Sequence, residues 1–287
     1  MKSADLSMYH AKDSGRNTYR SFDKEMNVRI INRMQLDNAL RDSLKKKEFH
    51  LVYQPLIHLT NNKIIGFEAL LRWHSHILGD VPPNEFISMA EENGLILDIG
   101  AWVLKEACNQ LVRWHQQGYK DLTVAVNISG RQFRQIHLAE AIEKILLDTG
   151  LPAKFLELEL TESLLVDNVR HAVETMYELK DMGVRLAIDD FGTGYSSLSY
   201  LKQFPVDQLK IDRSFISELS NRENDAAITK AIINLGHSLN LEVLAEGVET
   251  DLQRKFLMEH DCDLAQGYYF TPPKKAAELK DYISQNT

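Results

Sequence analysis

Cysteine is almost absent from this chain: Cys108 and Cys262 are the only two in 287 residues. Two isolated cysteines build neither a disulfide framework nor a thiolate zinc cluster, and such usage suits a reducing compartment. Long hydrophobic runs are missing as well. The apolar stretch around Leu95 to Leu104 is interrupted by Asp98 and followed closely by Lys105 and Glu106, which excludes it as a bilayer span. The first residues lack the apolar segment of a signal peptide, so a cytoplasmic location is expected, with a membrane-anchored sensor protein as the possible parent. An excess of positive charge is lacking too. Lys and Arg number 33 against 41 Asp and Glu, for a net charge of −8. That balance excludes a groove-reading binder of DNA or RNA polymers. It leaves room for a phosphate ligand wherever a cation mediates the contact. The GxG of "GTGYSS" (192–197) is not followed by the GK[ST] of a P-loop, so its glycines are read as permitting a tight loop.

What is present is a regular alternation. "HLVYQPLIHL" (50–59) and "KIIGFEALLRW" (63–73) are rich in strand formers and are separated by the turn-like "TNNK". Helical spacing then runs through 83–94 and 98–118. Strands follow at 122–129, 155–162, 185–189, 208–212, 242–247 and 263–270, with helices over 136–149, 169–182, 225–240 and 252–260. A last helix is expected from about Pro273. Strand followed by helix, repeated in this way, predicts parallel βα units closing into a barrel. The opening hairpin breaks the rule and requires one early antiparallel strand. The fold class is therefore α/β, a modified TIM-like (β/α)8 barrel with one antiparallel strand. Residues 1–22 and a polar helix with its linker over 23–47 stand outside the pattern, and 48–287 form the barrel.

Polar residues fall at one level of these strands, the C-terminal end where barrel chemistry is done. Glu68 follows "IIGF", Asn127 follows "TVAV", Glu159 follows "FLEL", and Asp189 and Asp190 follow "RLAI". Lys210 and Asp212 sit in "LKID", Glu246 follows "VLA" and Gln266 follows "DLA". So many carboxylates at one mouth cannot all stay ionised without counter-charge. Hard divalent cations with oxygen ligands supply it. Adjacent Asp189 and Asp190 allow one carboxylate to bridge two metals while its neighbour holds the second. Two metals about 3.5–4 Å apart suit in-line attack on a phosphodiester. Lys210 adds a positive charge near the attacked group or its water. Histidines and cysteines that zinc would favour are absent at these positions.

"EALLR" (68–72), "NIS" (127–129), "ELTES" (159–163), "DDFGTGYSS" (189–197), "KID" (210–212), "EGVE" (246–249) and "QGYYF" (266–270) resemble the EAL-domain family, which hydrolyses cyclic di-GMP. The resemblance covers about residues 35 to 285 and keeps motif order and spacing. "ADLSMYHAKDSGRN" (4–17) is similar to the end of a GGDEF, or diguanylate cyclase-like, domain. The chain thus reads as part of a longer tandem protein with upstream GGDEF and sensor domains.

The resemblance implies hydrolysis of cyclic di-GMP to linear pGpG with two Mg2+ or Mn2+ ions, Ca2+ being inhibitory. It implies metal ligation by Glu68, Asn127, Glu159, Asp189, Asp190 and Glu246, Asp189 being the bridge. Lys210 would orient or activate the water, with support from Asp212, and Glu246 is a candidate base. Arg72, Gln266 and Asp212 would contact the substrate, the Arg72 guanidinium offering a forked donor to phosphate. Glu249 would anchor the Phe191–Ser197 loop. A homodimer is expected. The competing reading is a receptor module that holds cyclic di-GMP without cutting it; the complete carboxylate set favours the enzyme.

Overall fold

The computed structural model describes residues 24–162, 164, 169–193, 201–217, 219 and 223–286. The GGDEF-like segment 1–22 lies outside them. The first described element is helix α1 (Lys24–Ser43), and strands β1 (Phe49–His58) and β2 (Ile64–Ser75) follow as a hairpin. Left-handed Asn62 (φ 55°) reverses the chain. The Asn61 side chain accepts from the Lys63 N–H at 2.9 Å, a local bond typical of asparagine turns. The hairpin pairs Phe49 with Trp73 through Leu56 with Gly66, in antiparallel register.

A three-residue strand, β3 (Gly79–Val81), folds back on β2. Strands β4 (Thr123–Asn127), β5 (Leu156–Thr161), β6 (Arg185–Phe191), β7 (Gln208–Ile211), β8 (Glu242–Ala245) and β9 (Leu264–Ala265) then run parallel to β2. β1 closes the ring by pairing antiparallel with both β2 and β9. The result is the expected TIM-like barrel with an antiparallel first strand, extended outside the ring by β3.

Helices α2 (Pro83–Asn93), α3 (Ile96–Gln116), α4 (Gly130–Phe133), α5 (Leu138–Thr149), α6 (Val169–Asp181), α7 (Arg213–Ser217), α8 (Glu223–Ser238) and α9 (Asp251–Glu259) occupy the connections. Gly94 and Gly150, with φ of 87° and 72°, end α2 and α5 in the left-handed conformation that glycine adopts at least cost. No helix among the described residues is long and apolar enough to cross a membrane.

Several boundaries differ from expectation, the strand expected at 263–270 shrinking to Leu264–Ala265. α1 ends at Ser43, and Lys45–Lys47 form a turn with Lys47 at φ 56°. The terminal helix α10 begins at Lys280 after a short 3-10 turn, Ala276–Leu279, and not near Pro273. The cause is tertiary: Lys274 and Tyr53 exchange both backbone hydrogen bonds (2.7 and 3.0 Å), which draws this segment onto β1 in extended form.

The barrel interior is layered. Leu56, Ala125, Leu244 and Leu264 form an apolar belt. At the N-terminal strand ends, Arg185 donates to Glu157 (3.0 Å) and to Glu242 (2.8 Å), and Gln208 donates to Glu242 (3.2 Å). The functional residues sit at the opposite ends of the strands, so the belt separates two polar layers.

Cys108 and Cys262 are 0% and 3% exposed. Burial pushes the Cys108 thiol up to about 12 and raises that of Cys262 as well. Neither thiolate is available in the native fold. A chromogenic disulfide reagent is expected to titrate no thiol in the native protein and two after denaturation; rapid native labelling would contradict this packing.

Candidate active site

Alternation along each strand turns every second side chain inward. Glu68 of β2, Asn127 of β4, Glu159 of β5, Asp189 of β6 and Lys210 of β7 all reach the C-terminal mouth. Glu246 and Gln266 follow the ends of β8 and β9. Asp190 would face away in a regular strand, as the neighbour of Asp189. Instead the β6–β7 register slips between Ile188 and Phe191, and Asp190 takes a left-handed φ of 54°. That conformation costs most residues about 1–2 kcal/mol and is tolerated best by Gly, Asn and Asp. The Asp190 N–H donates to Asp189 Oδ1 at 2.9 Å. The bulge is what lets two consecutive carboxylates address one mouth.

Lys210 is fully buried. Its Nζ lies 2.8 Å from Glu159 Oε1, 2.8 Å from Glu246 Oε1 and 3.2 Å from Asp189 Oδ1. Burial works to strip its proton, but Asp189, Glu159 and Glu246 outweigh it and hold the ammonium well above the usual lysine range. Burial, then repulsion from Glu68, raises Glu159 well above the ordinary carboxylate range. Burial raises Glu246 to about 8, Lys210 opposing and Asp189 adding to the shift. Asp190 rises to about 6, from burial first and then from Asp189 and Asp212. Glu68 alone among them is lowered. Burial there is outweighed by Lys210 and by donors at both oxygens, Gln266 Nε2 to Oε2 (2.5 Å) and Asn127 Nδ2 to Oε1 (2.7 Å).

These shifts record too much negative charge for one lysine. Asp189, Asp190 and Glu246 offer oxygens that all lie within 4.8 Å of one another. Neither oxygen of buried Glu159 accepts an aligned hydrogen bond among the described residues. An all-oxygen, multiply carboxylate donor set of this kind fits hard divalent cations.

The remaining expected residues are placed as follows. Arg72 stands half-buried at the end of β2, beside a cavity of about 300 Å3 lined also by Pro83, Ile87, Ile99, Asn127 and Thr161. Asp212 accepts from the Ser214 N–H (3.0 Å) at the start of α7 and faces Asp190; no bond joins it to Lys210, the residue it is expected to support. Within the described part of the Phe191–Ser197 loop, Glu162 Oε2 accepts from the Gly192 N–H at 3.3 Å. Glu249 stands just before α9, where its backbone N–H donates to Gln253 Oε1 at 2.8 Å. Thr250 caps that helix, which fixes the backbone at Glu249. Loop residues 194–197 lie outside the described residues.

Sequence reasoning also passed over Gln54. It pairs directly with Glu68 across the β1–β2 ladder and bonds Gln266. The available signal was an inward-facing amide inside the apolar run "LVYQPLI".

A barrel whose strand ends converge on oxygen ligands and one buried ammonium defines a class: α/β-barrel proteins built to hold hard cations against a polar ligand. The family model described as EAL domain matches residues 37–273, and the chain belongs to that family. It is 43% identical over 283 residues to the signaling protein YkoW of Bacillus subtilis, across 99% of this chain and 35% of that protein. It is 44% identical over 279 residues to MucR of Pseudomonas aeruginosa, a bifunctional diguanylate cyclase/cyclic di-GMP phosphodiesterase, across 97% of this chain and 41% of MucR. The chain therefore spans well under half the length of these relatives. The solved PaMucR phosphodiesterase in complex with c-di-GMP superposes with a TM-score of 0.83 at 44% identity, covering 85% of this chain and 99% of that one.

Two outcomes are expected. Cation ligands must be deprotonated, and Glu246 and Asp190 lose their protons near 8 and 6. Mn2+ affinity measured by calorimetry should therefore rise steadily from acid pH to above the Glu246 value, with proton release; a flat profile would contradict the assignment. Glu162→Gln should weaken Mg2+ dependence by roughly 10- to 100-fold, as losses behind a ligand do, and Glu249→Ala by less. The reverse ranking in metal titrations of stability would restore Glu249 as the anchor.

Proposed function

We propose that this chain hydrolyses cyclic di-GMP to linear pGpG, using two divalent cations, Mg2+ or Mn2+. The observation that carries the reading is the fully buried Lys210 ammonium held among Glu159, Asp189 and Glu246, with Asp190 clustered against the last two. A receptor needs neither a buried ammonium nor so large an excess of carboxylate.

Glu68, Asn127, Glu159 and Asp189 would hold one cation, and Asp189, Asp190 and Glu246 the other. When bound, the cations supply Lewis-acid polarisation of a phosphoryl oxygen and a lowered pKa for water. Arg72 grips the phosphate that is not cut, and the neighbouring cavity receives the base attached to it. Lys210 keeps its proton and donates to the attacking water or to a phosphoryl oxygen on which charge develops. Glu246, raised to about 8, suits acceptance of the water proton. The new bond joins the water oxygen to phosphorus, the bond from phosphorus to one ribose 3′ oxygen breaks, and that oxygen leaves with a proton. Water is consumed and one ring bond is opened.

The chain matches a third or so of longer signaling relatives, and we read residues 1–22 as the end of a GGDEF domain on the motif they carry. We read the whole as part of a longer cytoplasmic tandem protein, working as a homodimer.

The test is incubation with cyclic di-GMP and Mg2+ or Mn2+, followed by chromatography. One nucleotide product, pGpG, is expected, and chelator or excess Ca2+ should suppress it. Lys210→Ala should lower kcat by roughly 10²- to 10³-fold, the scale of a lost group that stabilises transition-state charge, roughly 3–4 kcal/mol. Ligand affinity, read by calorimetry with Ca2+ present, should change far less. Tight binding with no turnover by the wild type would make this a receptor.

A further inference from the structure

We infer that Gln54 is a positioning residue: it fixes which way the Gln266 amide points, and through it the pattern of donors around Glu68. The inference deepens the proposed phosphodiesterase reading and rests on it for its catalytic consequence only.

The chain of bonds has a fixed starting point. The Thr271 carbonyl belongs to a turn in which the Thr271 N–H donates to the Gly267 carbonyl at 3.3 Å. Gly267 packs so closely on the backbone of Val248 that an added Cβ would meet Val248 O at 2.1 Å. The carbonyl is thus held by main chain alone. Gln54 Nε2 donates to it at 3.2 Å. An amide carries its oxygen opposite its nitrogen, so Gln54 Oε1 faces the other way. There it accepts from Gln266 Nε2 at 2.9 Å. The same nitrogen donates to Glu68 Oε2, and both its hydrogens are used.

Rotating the Gln266 amide by half a turn would set its oxygen against Gln54 Oε1 and Glu68 Oε2. Three acceptors would then meet with no hydrogen between them, inside a buried site. Gln54 therefore excludes the flipped state. The consequence faces the mouth: Gln266 Oε1 is buried and has no hydrogen-bond partner among the described residues. The site presents an acceptor at this position, to an N–H, an O–H or a cation, and not a donor. Glu68 meanwhile keeps a donor on each oxygen, with Asn127 on the other side. Its charge and its orientation are both set before anything binds.

The test compares wild type, Gln54→Met, Gln266→Met and the double variant. Mn2+ binding is read by titration calorimetry without nucleotide, and steady-state hydrolysis of cyclic di-GMP is read separately. Gln54→Met is expected to weaken Mn2+ binding about 10-fold, the lower end for loss of a group behind a ligand, and to lower kcat comparably with KM within about 3-fold. Because Gln54 acts through Gln266, adding Gln54→Met to Gln266→Met should change either quantity by less than about 2-fold. Superimposable Mn2+ isotherms for wild type and Gln54→Met overturn the inference, as do effects that simply multiply in the double variant. A wild type that binds Mn2+ but hydrolyses nothing sinks the proposed function and leaves the isotherms to decide the role of Gln54. A wild type that binds no Mn2+ overturns both. Should Gln54→Met melt below the assay temperature, all four proteins are compared at a lower temperature at which each is folded, and the same two outcomes decide.

Discussion

The structure depends on a charge imbalance at one end of a barrel. Glu68, Glu159, Asp189, Asp190 and Glu246 crowd around a single buried ammonium, Lys210. Removing ions from water costs several kcal/mol each even after relaxation, and opposite charges repay it only at close range. Lys210 meets three carboxylates at that range and still leaves the cluster short of positive charge. The raised positions of Glu159, Glu246 and Asp190 are the measure of the shortfall. A cation held in a site of this condition would relieve it.

The rest of the fold keeps that condition in place. The belt of Leu56, Ala125, Leu244 and Leu264 separates the cluster from the Arg185, Glu157 and Glu242 network at the other strand ends. The bulge at Ile188–Phe191 brings Asp190 beside Asp189. Glu162 holds the chain just beyond it. Antiparallel β1 serves the site directly, because its pairing with β2 sets Gln54 against Glu68, while its bridge to Lys274 secures the segment that carries Thr271. The strand of the ring that departs from parallel order is also the one that ties the two ends of the barrel domain together.

The alternation of short apolar strands with helices made the barrel legible from sequence, because burial on both faces requires continuous apolar runs and helices to cover them. The ring of polar residues was legible for the same reason: a carboxylate at the end of such a run has few places to go. Glu68, Asn127, Glu159, Asp189, Lys210, Glu246 and Gln266 all follow this pattern and all meet. The anchoring contact did not follow from spacing. Glu162 and Glu249 both stand three residues after a strand-end glutamate, and periodicity treats them alike. Helix capping at Thr250 engages the backbone at Glu249, while the Gly192 N–H just after the β6 bulge donates to Glu162.

Sequence by itself determined the strand order of chemistry and the kinds of group that arrive at the mouth, since side-chain alternation and apolar length are local properties. Tertiary structure alone decided how those groups are oriented. Lys210 reaches three carboxylates because curvature of the closed sheet brings β5, β6 and the end of β8 around β7. Gln54 joins the site, and the terminal helix starts late, because the ends of the barrel domain pair backbone to backbone across more than two hundred residues of sequence, Tyr53 with Lys274. Such pairings depend on ring closure, which no local pattern encodes.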